Sequence, residues 1–417
     1  NSQGITVEGI DLKLINSIVY DNDQYNVSGS YTSYNSLYSQ SDPAPLFADT
    51  ANGDYHLQEA SPCIGAGIDS VEIAEVWYTS PITDIEGNIR PDPEGSNPDI
   101  GAYENPLAEP AHNSNIYVST EGNDDGSIGE ENAPFATIQA AIDYSWDGDS
   151  VLVQPGTYLE NITIENKNIV LMGAEKTTTI IDGGQNGHVV TVYTDNITFE
   201  GFTVQNGYGG IGGYGGGIRI DSNNPNSNIT IDNCIVKNNS DGEANGIGGG
   251  GIFVGAGGNT YISNSIITNN YGHDGGGVNV SSGSTTIMKN VLIYNNQAYD
   301  YGGGIFIHNE AEMSIYNSTV FDNLGQNAGG AQIEGIANVE NCIFYGNQIT
   351  GGGCGGTGDG YQIQMNGNNN QNGTVAIAYS LIQGGESDIC NDGGTVIWNT
   401  GNIDADPQFS DTSNNDF

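Results

Sequence analysis

The sequence predicts an all-β protein folded as a right-handed parallel β-helix, a solenoid of stacked coils with a short N-terminal capping helix on its main module. Three observations predict this fold. The 417 residues include 63 glycines. The apolar residues come in short β-branched runs separated by Gly, Asn, Asp and Ser. A strand-like unit recurs at steps of 31, 26, 27 and 24 residues between residues 233 and 341, and repeats of this length are typical of solenoids.

The capping helix is predicted near residues 134–145. Ile138, Ala141 and Ile142 are spaced as on one face of a helix, and Pro134 lies near its start. The following segment, "DSVLVQPGTY", changes to the alternation of a strand. A small amphipathic helix of this kind is suited to closing the apolar end of a solenoid.

The coils are predicted to extend to about residue 347. Each unit has a glycine turn such as "GGGIFV" (249–254), a short strand, a variable loop, a second strand, an asparagine, a third strand and an Asn-rich exit. Stacked coils bury one shared core. We expect one inward column of Ile231, Ile262, Met288, Ile315 and Val339, and another of Val236, Ile267, Ile293, Val320 and Phe344.

Asparagine weakens strands, yet one follows the second strand of every unit. Asparagine tolerates the left-handed backbone conformation of a sharp bend. Stacked copies can also pass amide hydrogen bonds from coil to coil. We therefore predict a structural asparagine ladder at the corner between two strands, formed by Asn233, Asn264, Asn290, Asn317 and Asn341.

Two further stretches suggest a family. Residues 133–164 combine the predicted helix with a first coil, whereas "SPCIGAG" (61–67), "DIEGNIRP" (84–91) and "DIGAYE" (99–104) form a closing segment. With these, the sequence resembles the right-handed parallel β-helix proteins of the pectate-lyase-like superfamily, and among them modular secreted surface proteins of bacteria. The resemblance implies an extracellular or cell-surface location in a bacterium. The motifs are specific for architecture and not for an activity.

The closing segment precedes the opening segment, which predicts two modules. Residues 1–105 are expected to be the C-terminal coil and closing segment of one β-helix module, residues 106–115 a linker, and residues 116–417 a second module. The second module has an insertion near 350–392 and the start of its own closing segment at 402–417. Either the modules form a tandem array, or residues 1–105 complete a neighbouring molecule head to tail.

The charge excludes several partners. With 7 Lys and Arg against 51 Asp and Glu, the formal net charge is −44, which repels nucleic acid and anionic membrane surfaces. No apolar run is long enough for membrane insertion. Acidic residues gather in "EGNDDGSIGEEN" (121–132), so calcium is a candidate ligand of Asp124, Asp125, Glu130 and Glu131, and no other cofactor is expected.

Catalytic candidates are few. Asp274 and Asp300 precede the glycine turns of consecutive coils, with His273 beside them, and two carboxylates a few ångströms apart can hydrolyse a glycosidic bond. Acidic residues in such turns are, however, often solvated turn formers. The default expectation is therefore that the chain has no catalytic residues, and these three are the alternative.

Five tyrosines lie in the loops before the glycine turns, and stacking is expected to gather them along one edge. Such a tyrosine strip can contact glycans or another protein, or it can cover neighbouring glycines. Its members are Tyr208, Tyr214, Tyr271, Tyr299 and Tyr301. Two of the five cysteines, Cys354 and Cys390, flank the Gly/Asn-rich insertion and are candidates for a disulfide.

These observations predict an extracellular structural or adhesive surface protein of tandem β-helix modules. In one version of this prediction, the protein is the repeating subunit of a filament. The alternatives are a polysaccharide-active enzyme, either a glycoside hydrolase or a lyase, and a glycan-binding module on the same fold. The expected partners are other modules of the same kind and surface glycans.

Overall fold

The computed structural model describes most of the chain. The described residues are 4–9, 11–22, 26–38, 44–74, 76–107, 114–125, 127, 129–210, 214–222, 224–242, 248–255, 257–351, 361–366 and 373–410. The chain divides into two compact units, Asn1–Asn113 and Ser114–Phe417.

The first unit begins with two short parallel pairings, Ile5–Thr6 with Val27–Ser28 and Leu12–Ile15 with Tyr31–Tyr34. Two antiparallel hairpins follow. Their strands are Phe47–Asp49 with Asp54–Leu57 and Ser70–Ile73 with Val76–Thr79, and a 3-10 helix spans Thr50–Asn52. A small core of Leu37, Leu57, Cys63 and Ile100 holds this unit together.

The three stretches of the closing segment are joined by buried polar contacts. Arg90 Nε donates to Glu104 Oε2 at 2.6 Å, and both side chains are almost fully buried. The backbone N–H of Glu104 donates to Asp84 Oδ2 at 3.2 Å. Asp99 accepts from the backbone of Gly65 at 2.7 Å. Since an unpaired charge at this depth is costly, Arg90 and Glu104 depend on each other.

The second unit is a parallel β-helix, which confirms the predicted fold class. Three long parallel sheets run along it, and consecutive strands of each sheet come from consecutive coils. The first sheet has eleven strands: Asn115–Val118, Ser150–Val153, Ile169–Gly173, Asn196–Glu200, Asn228–Asp232, Asn259–Ser263, Thr285–Lys289, Glu312–Tyr316, Ile336–Glu340, Thr374–Ala378 and Thr395–Trp398.

The second and third sheets have nine strands each. The strands of the second sheet are Gly156–Leu159, Thr179–Asp182, Thr203–Gln205, Ile235–Lys237, Ile266–Thr268, Leu292–Tyr294, Thr319–Phe321, Ile343–Tyr345 and Leu381–Ile382. The strands of the third sheet are Ile162–Ile164, Val190–Val192, Ile218–Ile220, Ile252–Val254, Val278–Val280, Ile305–Ile307, Ala331–Ile333, Ile363–Asn366 and Cys390–Asp392.

A fourth, smaller sheet lies between the second and third sheets in chain order. Its strands are Tyr271–Gly272, Gln297–Ala298, Leu324–Gly325 and Gln348–Ile349. A 3-10 helix at Glu386–Asp388 follows the last strand of the second sheet.

The core has the two predicted inward columns. Ile231, Ile262, Met288, Ile315 and Val339 occupy matching positions in the first sheet, and Val236, Ile267, Ile293, Val320 and Phe344 in the second. All ten are buried in one continuous cluster. Because the register is kept from coil to coil, like apolar side chains stack on one another along the solenoid.

A helix at Ile138–Tyr144 packs on the first coil of this unit. Ile138, Ala141 and Ile142 are buried in the core cluster, as their spacing predicts. The Thr137 hydroxyl caps the helix by accepting from Ala140 N, and Glu160 accepts from the backbone of Ile138 at 2.9 Å. Among the described residues, no helix is long and apolar enough to cross a membrane.

The structure assigns two roles to two rows of asparagine. The predicted row has φ between 49° and 56°, so its members adopt the left-handed conformation at the corner between the first and second sheets; we call them the corner asparagines (Asn233, Asn264, Asn290, Asn317, Asn341). Within this row the structure shows one side-chain amide bond, from Asn290 to Asn264 at 3.2 Å. The continuous ladder is formed elsewhere.

That ladder belongs to a second row, which the sequence reasoning missed. We call its members the inner asparagines: Asn239, Asn270, Asn296, Asn323 and Asn347. All five are buried. From Asn270 onward, the Oδ1 of each member accepts from the backbone N–H and Nδ2 of the preceding member at 2.9 to 3.0 Å. The signal was present in the sequence, since Asn239, Asn270 and Asn296 are the second residues of Asn-Asn pairs.

The glycine turns admit a close approach between coils. A Cβ on Gly303 would lie 2.5 Å from the carbonyl carbon of Leu324 in the following coil, which excludes any side chain there. Gly275 has φ of 73°. The glycines therefore allow the coils to approach closely beside His273, Asp274 and Asp300.

Candidate active site

The structure brings together the three residues of the predicted catalytic alternative. One potential ligand atom from each of His273, Asp274 and Asp300 lies within 4.8 Å of the others. We call these residues the His273 cluster. The stacking of the coils produces it, because the backbone N–H of Asp300 donates to the carbonyl oxygen of His273 at 3.0 Å. Residues 26 and 27 positions apart thus become neighbours.

Asp274 and His273 form a hydrogen-bonded pair. Asp274 Oδ1 lies 2.6 Å from His273 Nδ1, and the Asp274 side chain is almost completely buried while that of His273 is 14% exposed. Burial raises the pKa of Asp274 to about 6, with a contribution from the nearby Asp300 carboxylate, whereas His273 lowers it. A buried carboxylate of this kind fixes the orientation of the imidazole.

Asp300 is the more accessible carboxylate of the cluster. Its side chain is partly exposed, and Asn327 Nδ2 donates to its Oδ1 at 3.2 Å. Asn327 also binds the backbone of Asp300 through its own N–H at 3.1 Å. These two bonds from the next coil hold Asp300 in place beside His273.

Asp241 is a fourth member of the site that the sequence reasoning missed. Its Oδ2 accepts from the backbone N–H of His273 at 2.6 Å. The side chain is fully buried, its Oδ1 has no hydrogen-bond partner, and burial raises its pKa to about 7. The sequence signal is weak, because Asp241 lies 32 positions before His273 in a turn-forming "NNSDG" stretch.

The tyrosine strip is divided by the structure into exposed and covering members. Tyr208 and Tyr299 are 38% and 50% exposed, and the ring of Tyr299 lies 5.6 Å from that of His273. Tyr271 is half-buried in the fourth sheet. It pairs with Ser240 of the preceding coil, and Ser240 pairs with Tyr208 one coil earlier. Tyr299 is therefore an exposed strip residue beside the His273 cluster.

The other two tyrosines of the strip cover the outer face of the third sheet. Tyr301 stacks on Phe306 at 4.8 Å, and Tyr214 packs against Phe253 at 4.9 Å. Arg219, Phe253 and Phe306 belong to one column on the outer face of the third sheet. Phe253 and Phe306 are nevertheless buried, because the rings of Tyr214 and Tyr301 cover them. Covering and exposed roles thus coexist along one strip.

The acidic loop has a structural function at one position. Asp124 Oδ1 accepts from the backbone of Ala136 and Thr137 at 2.7 and 3.1 Å, just before the helix. Asp125, Glu130 and Glu131 are exposed. Among the described residues, the His273 cluster is the one group of three or more His, Cys, Asp or Glu side chains whose ligand atoms converge.

The predicted disulfide falls partly outside the described residues. Cys354 lies outside them, and Cys390 is disulfide-bonded. Cys63, Cys234 and Cys342 are free and buried, so they act as small apolar core residues.

No protein-family model matches the sequence, and no curated protein matches it. Solved structures are similar at low identity. A pectate lyase, Pel9A, shares 16% identity over 72% of this chain and 83% of its own, with a TM-score of 0.47. A pectin methylesterase from carrot shares 14% identity over 70% and 88%, with a TM-score of 0.34. Pectin methylesterase PemA from Erwinia chrysanthemi shares 13% identity over 66% and 80%, with a TM-score of 0.36.

Proposed function

We propose that the protein is a secreted polysaccharide-active enzyme that hydrolyses a glycosidic bond at the His273 cluster. One observation carries the proposal: a buried Asp274 orients His273 within reach of the more exposed Asp300. Glycoside hydrolysis needs one group that protonates the leaving oxygen and a second that acts on the opposite side of the bond. The cluster supplies both.

His273 is the proton donor in this proposal. Asp274 binds Nδ1 of its ring, which leaves Nε2 to protonate the glycosidic oxygen. Asp274 itself is too deeply buried to touch a polysaccharide. It is therefore a positioning residue, and His273 is the catalytic residue.

Asp300 is the nucleophile in this proposal. Retaining glycosidases place their two groups about 5 Å apart, whereas inverting enzymes need about 6.5–9.5 Å to admit a water molecule. One ring nitrogen of His273 and one carboxylate oxygen of Asp300 lie within 4.8 Å of each other, and we assign the retaining arrangement to the site as part of this proposal. Asp300 attacks the anomeric carbon while the glycosidic bond breaks and its oxygen takes the proton from His273, which forms a glycosyl ester on Asp300. The neutral His273 then takes a proton from a water molecule that attacks the same carbon, which releases the sugar and restores Asp300 and His273.

The expected substrate is an uncharged polysaccharide. A formal charge of −44 repels a polyanion. Asn279 lies beside the cluster, because its Nδ2 binds the backbone of Asp274. Arg219 is two coils away from Asn279 in the same column and is already paired with Asp221, so it is not placed to bind a negatively charged sugar at the cluster. The exposed ring of Tyr299 offers a face for a sugar next to the cluster.

The test is the release of reducing ends from neutral polysaccharides such as xylan, mannan and β-glucan. The native protein should cleave at least one of them, and Asp300→Asn should lower the rate by about 10²–10⁴-fold. Asp322→Asn, which makes the same charge change at an exposed corner of the same solenoid, should leave the rate unchanged. No cleavage of any substrate, or equal rates in Asp300→Asn, would overturn the proposal.

Adhesion or filament formation by tandem modules is a second candidate function, favoured by a likeness between the two units. Ser17 Oγ donates to Ile15 O at 2.8 Å in the first unit, and Ser380 Oγ donates to Ala378 O at 2.8 Å in the second. Each serine follows a residue with positive φ, Asn16 or Tyr379. Electron microscopy of the native material, with the mass of the denatured chain, tests this function, and monodisperse compact particles would exclude it.

A further inference from the structure

We infer that His273, Asp274 and Asp300 form a binding site for one divalent transition-metal cation of the zinc class. Three side-chain ligands converge within 4.8 Å, and three protein ligands plus water is a common arrangement around zinc in open sites. Asp300 and His273 face solvent in part, so a cation can enter from their side.

The donor set selects the class of metal. One imidazole nitrogen with two carboxylate oxygens suits zinc and its neighbours in the first transition row, whereas calcium prefers six to eight oxygen ligands. The acidic loop, where calcium is a candidate, provides one carboxylate that already binds the backbone just before the helix and three that are exposed. The two places therefore differ in the chemistry they offer.

Asp241 is a second, independent observation that points to a ligand. Its Oδ2 is occupied by the backbone N–H of His273, while its fully buried Oδ1 has no donor. Buried polar atoms are almost always paired with protein or with ordered water. A water molecule bound to the cation would supply the missing donor, as outer carboxylates do around many metal sites.

The charges of the site also favour a cation. Asp241, Asp274 and Asp300 come from three successive coils. His273 contacts two of them, Asp241 through its backbone N–H and Asp274 through its ring. A divalent cation balances this excess of negative charge without a change in the fold. Asn327 holds Asp300 from the next coil, so the ligands are already oriented.

Cation binding does not require the proposed hydrolysis, but it uses the same atoms. A cation held by Asp274, Asp300 and His273 displaces the proton between His273 and Asp274 and occupies the nucleophile. It should therefore inhibit the proposed cleavage of polysaccharide. This consequence rests on the proposed function, whereas the binding itself is measured without substrate.

Isothermal titration calorimetry with zinc chloride, on protein first treated with a chelator and then dialysed, tests the site. We expect one zinc ion per chain with micromolar or tighter affinity. Asp300→Asn should weaken binding about tenfold or more, which corresponds to about 1.4 kcal/mol. Asp322→Asn should bind like the native protein, and far-UV circular dichroism checks that both variants are folded.

Calcium chloride provides the comparison for diffuse surface binding. If zinc shows no saturable one-to-one binding, or if native protein, Asp300→Asn and Asp322→Asn bind it equally, the site is excluded and the negative surface accounts for the heat. Zinc binding without any polysaccharide cleavage would support the site and reject the proposed hydrolase. Cleavage without zinc binding would do the opposite.

Discussion

Asn323 Oδ1 accepts two hydrogen bonds from Asn296 of the preceding coil, from its backbone N–H at 2.9 Å and from its Nδ2 at 3.0 Å. Asn323 Nδ2 in turn donates to Ile293 O and to Asn347 Oδ1. The Asn323 side chain thus links its own coil to the preceding coil and to the following coil.

Replacement of Asn323 by Ala should therefore be strongly destabilising. It leaves the buried backbone N–H of Asn296 without its acceptor and removes the side-chain donor of Ile293 O, whereas Asn296 Nδ2 keeps Ile267 O. Each unsatisfied buried group costs about 1–3 kcal/mol. We expect a loss of about 3–5 kcal/mol in the free energy of unfolding, measured by urea denaturation. A loss below about 1 kcal/mol would show that the ladder is not a main source of stability.

Asn317, an exposed corner asparagine with φ of 49°, should respond differently. Alanine there must adopt a left-handed backbone, which costs about 1–2 kcal/mol. Asn317→Gly should cost less than Asn317→Ala, because glycine adopts this conformation without steric strain. Urea denaturation of both variants checks the order, and the reverse order would contradict the corner role.

Stability should fall as the pH rises through the titration of the buried carboxyls. Burial raises the pKa of Asp241 from 3.8 to about 7 and that of Asp274 to about 6. Between about pH 4 and pH 7, these two carboxyls therefore bind more protons in the folded protein than in the unfolded chain, so their contribution to the unfolding free energy decreases with pH. Buried His308, whose pKa is lowered to about 4, acts in the opposite direction.

Asp241→Asn should remove part of this dependence. The amide keeps an acceptor for the N–H of His273 but carries no charge. We expect the variant to be more stable than the native protein at pH 8 and closer to it at pH 4.5, in urea denaturation without added metal. Asp322→Asn serves as the control and should follow the native curve, and equal slopes for Asp241→Asn would refute the assignment.

Glu104→Gln should destabilise the first unit. It leaves the buried guanidinium of Arg90 without its carboxylate partner, and breaking a buried pair in this way costs about 3–5 kcal/mol. The Lys13–Asp11 pair provides the contrast, since both side chains are about a third or more exposed; Asp11→Asn should cost much less than Glu104→Gln, because exposed ion pairs contribute little. Calorimetric melting of the full chain measures both, and equal effects would argue against the buried pair.

Tyr299→Ala should weaken substrate binding without changing the chemical step. Loss of a ring that stacks on a sugar is worth about 0.5–1.5 kcal/mol, so we expect KM to rise by up to about tenfold while kcat is kept. Tyr261→Ala removes another exposed ring, from the first sheet, and should change neither constant. A fall in kcat alone would place Tyr299 in the catalytic step.

The fold was predictable because the repeat consists of residues that determine the backbone conformation of their immediate neighbours. Apolar alternation, the glycine turns and the corner asparagines each specify backbone geometry within a few residues, and Ile262 and Met288 stack as their spacing indicates. The helix at Ile138–Tyr144 follows from the same kind of local pattern.

The site was predictable only in part. His273 and Asp274 lie in the turn of one coil and Asp300 lies in the same turn of the next, so stacking alone brings them together. Asp241 and the inner asparagines were missed because their roles depend on which way a side chain points. In the pair Asn269–Asn270, the first residue takes a positive φ and the side chain of the second is buried in the core. The sequence alone does not distinguish this assignment from the reverse one, because both residues are asparagine.

The constant register of the solenoid also has an evolutionary consequence. Val278 and Ile305 occupy the same column one coil apart, so deletion of residues 278–304 would place Asn270 against Asn323, an identical acceptor for the same donors. Recombination can therefore lengthen or shorten this protein in whole coils with little harm to folding. Such a deletion would remove Asp300 and keep His273, so selection on the chemistry, rather than on the fold, would fix the number of coils here.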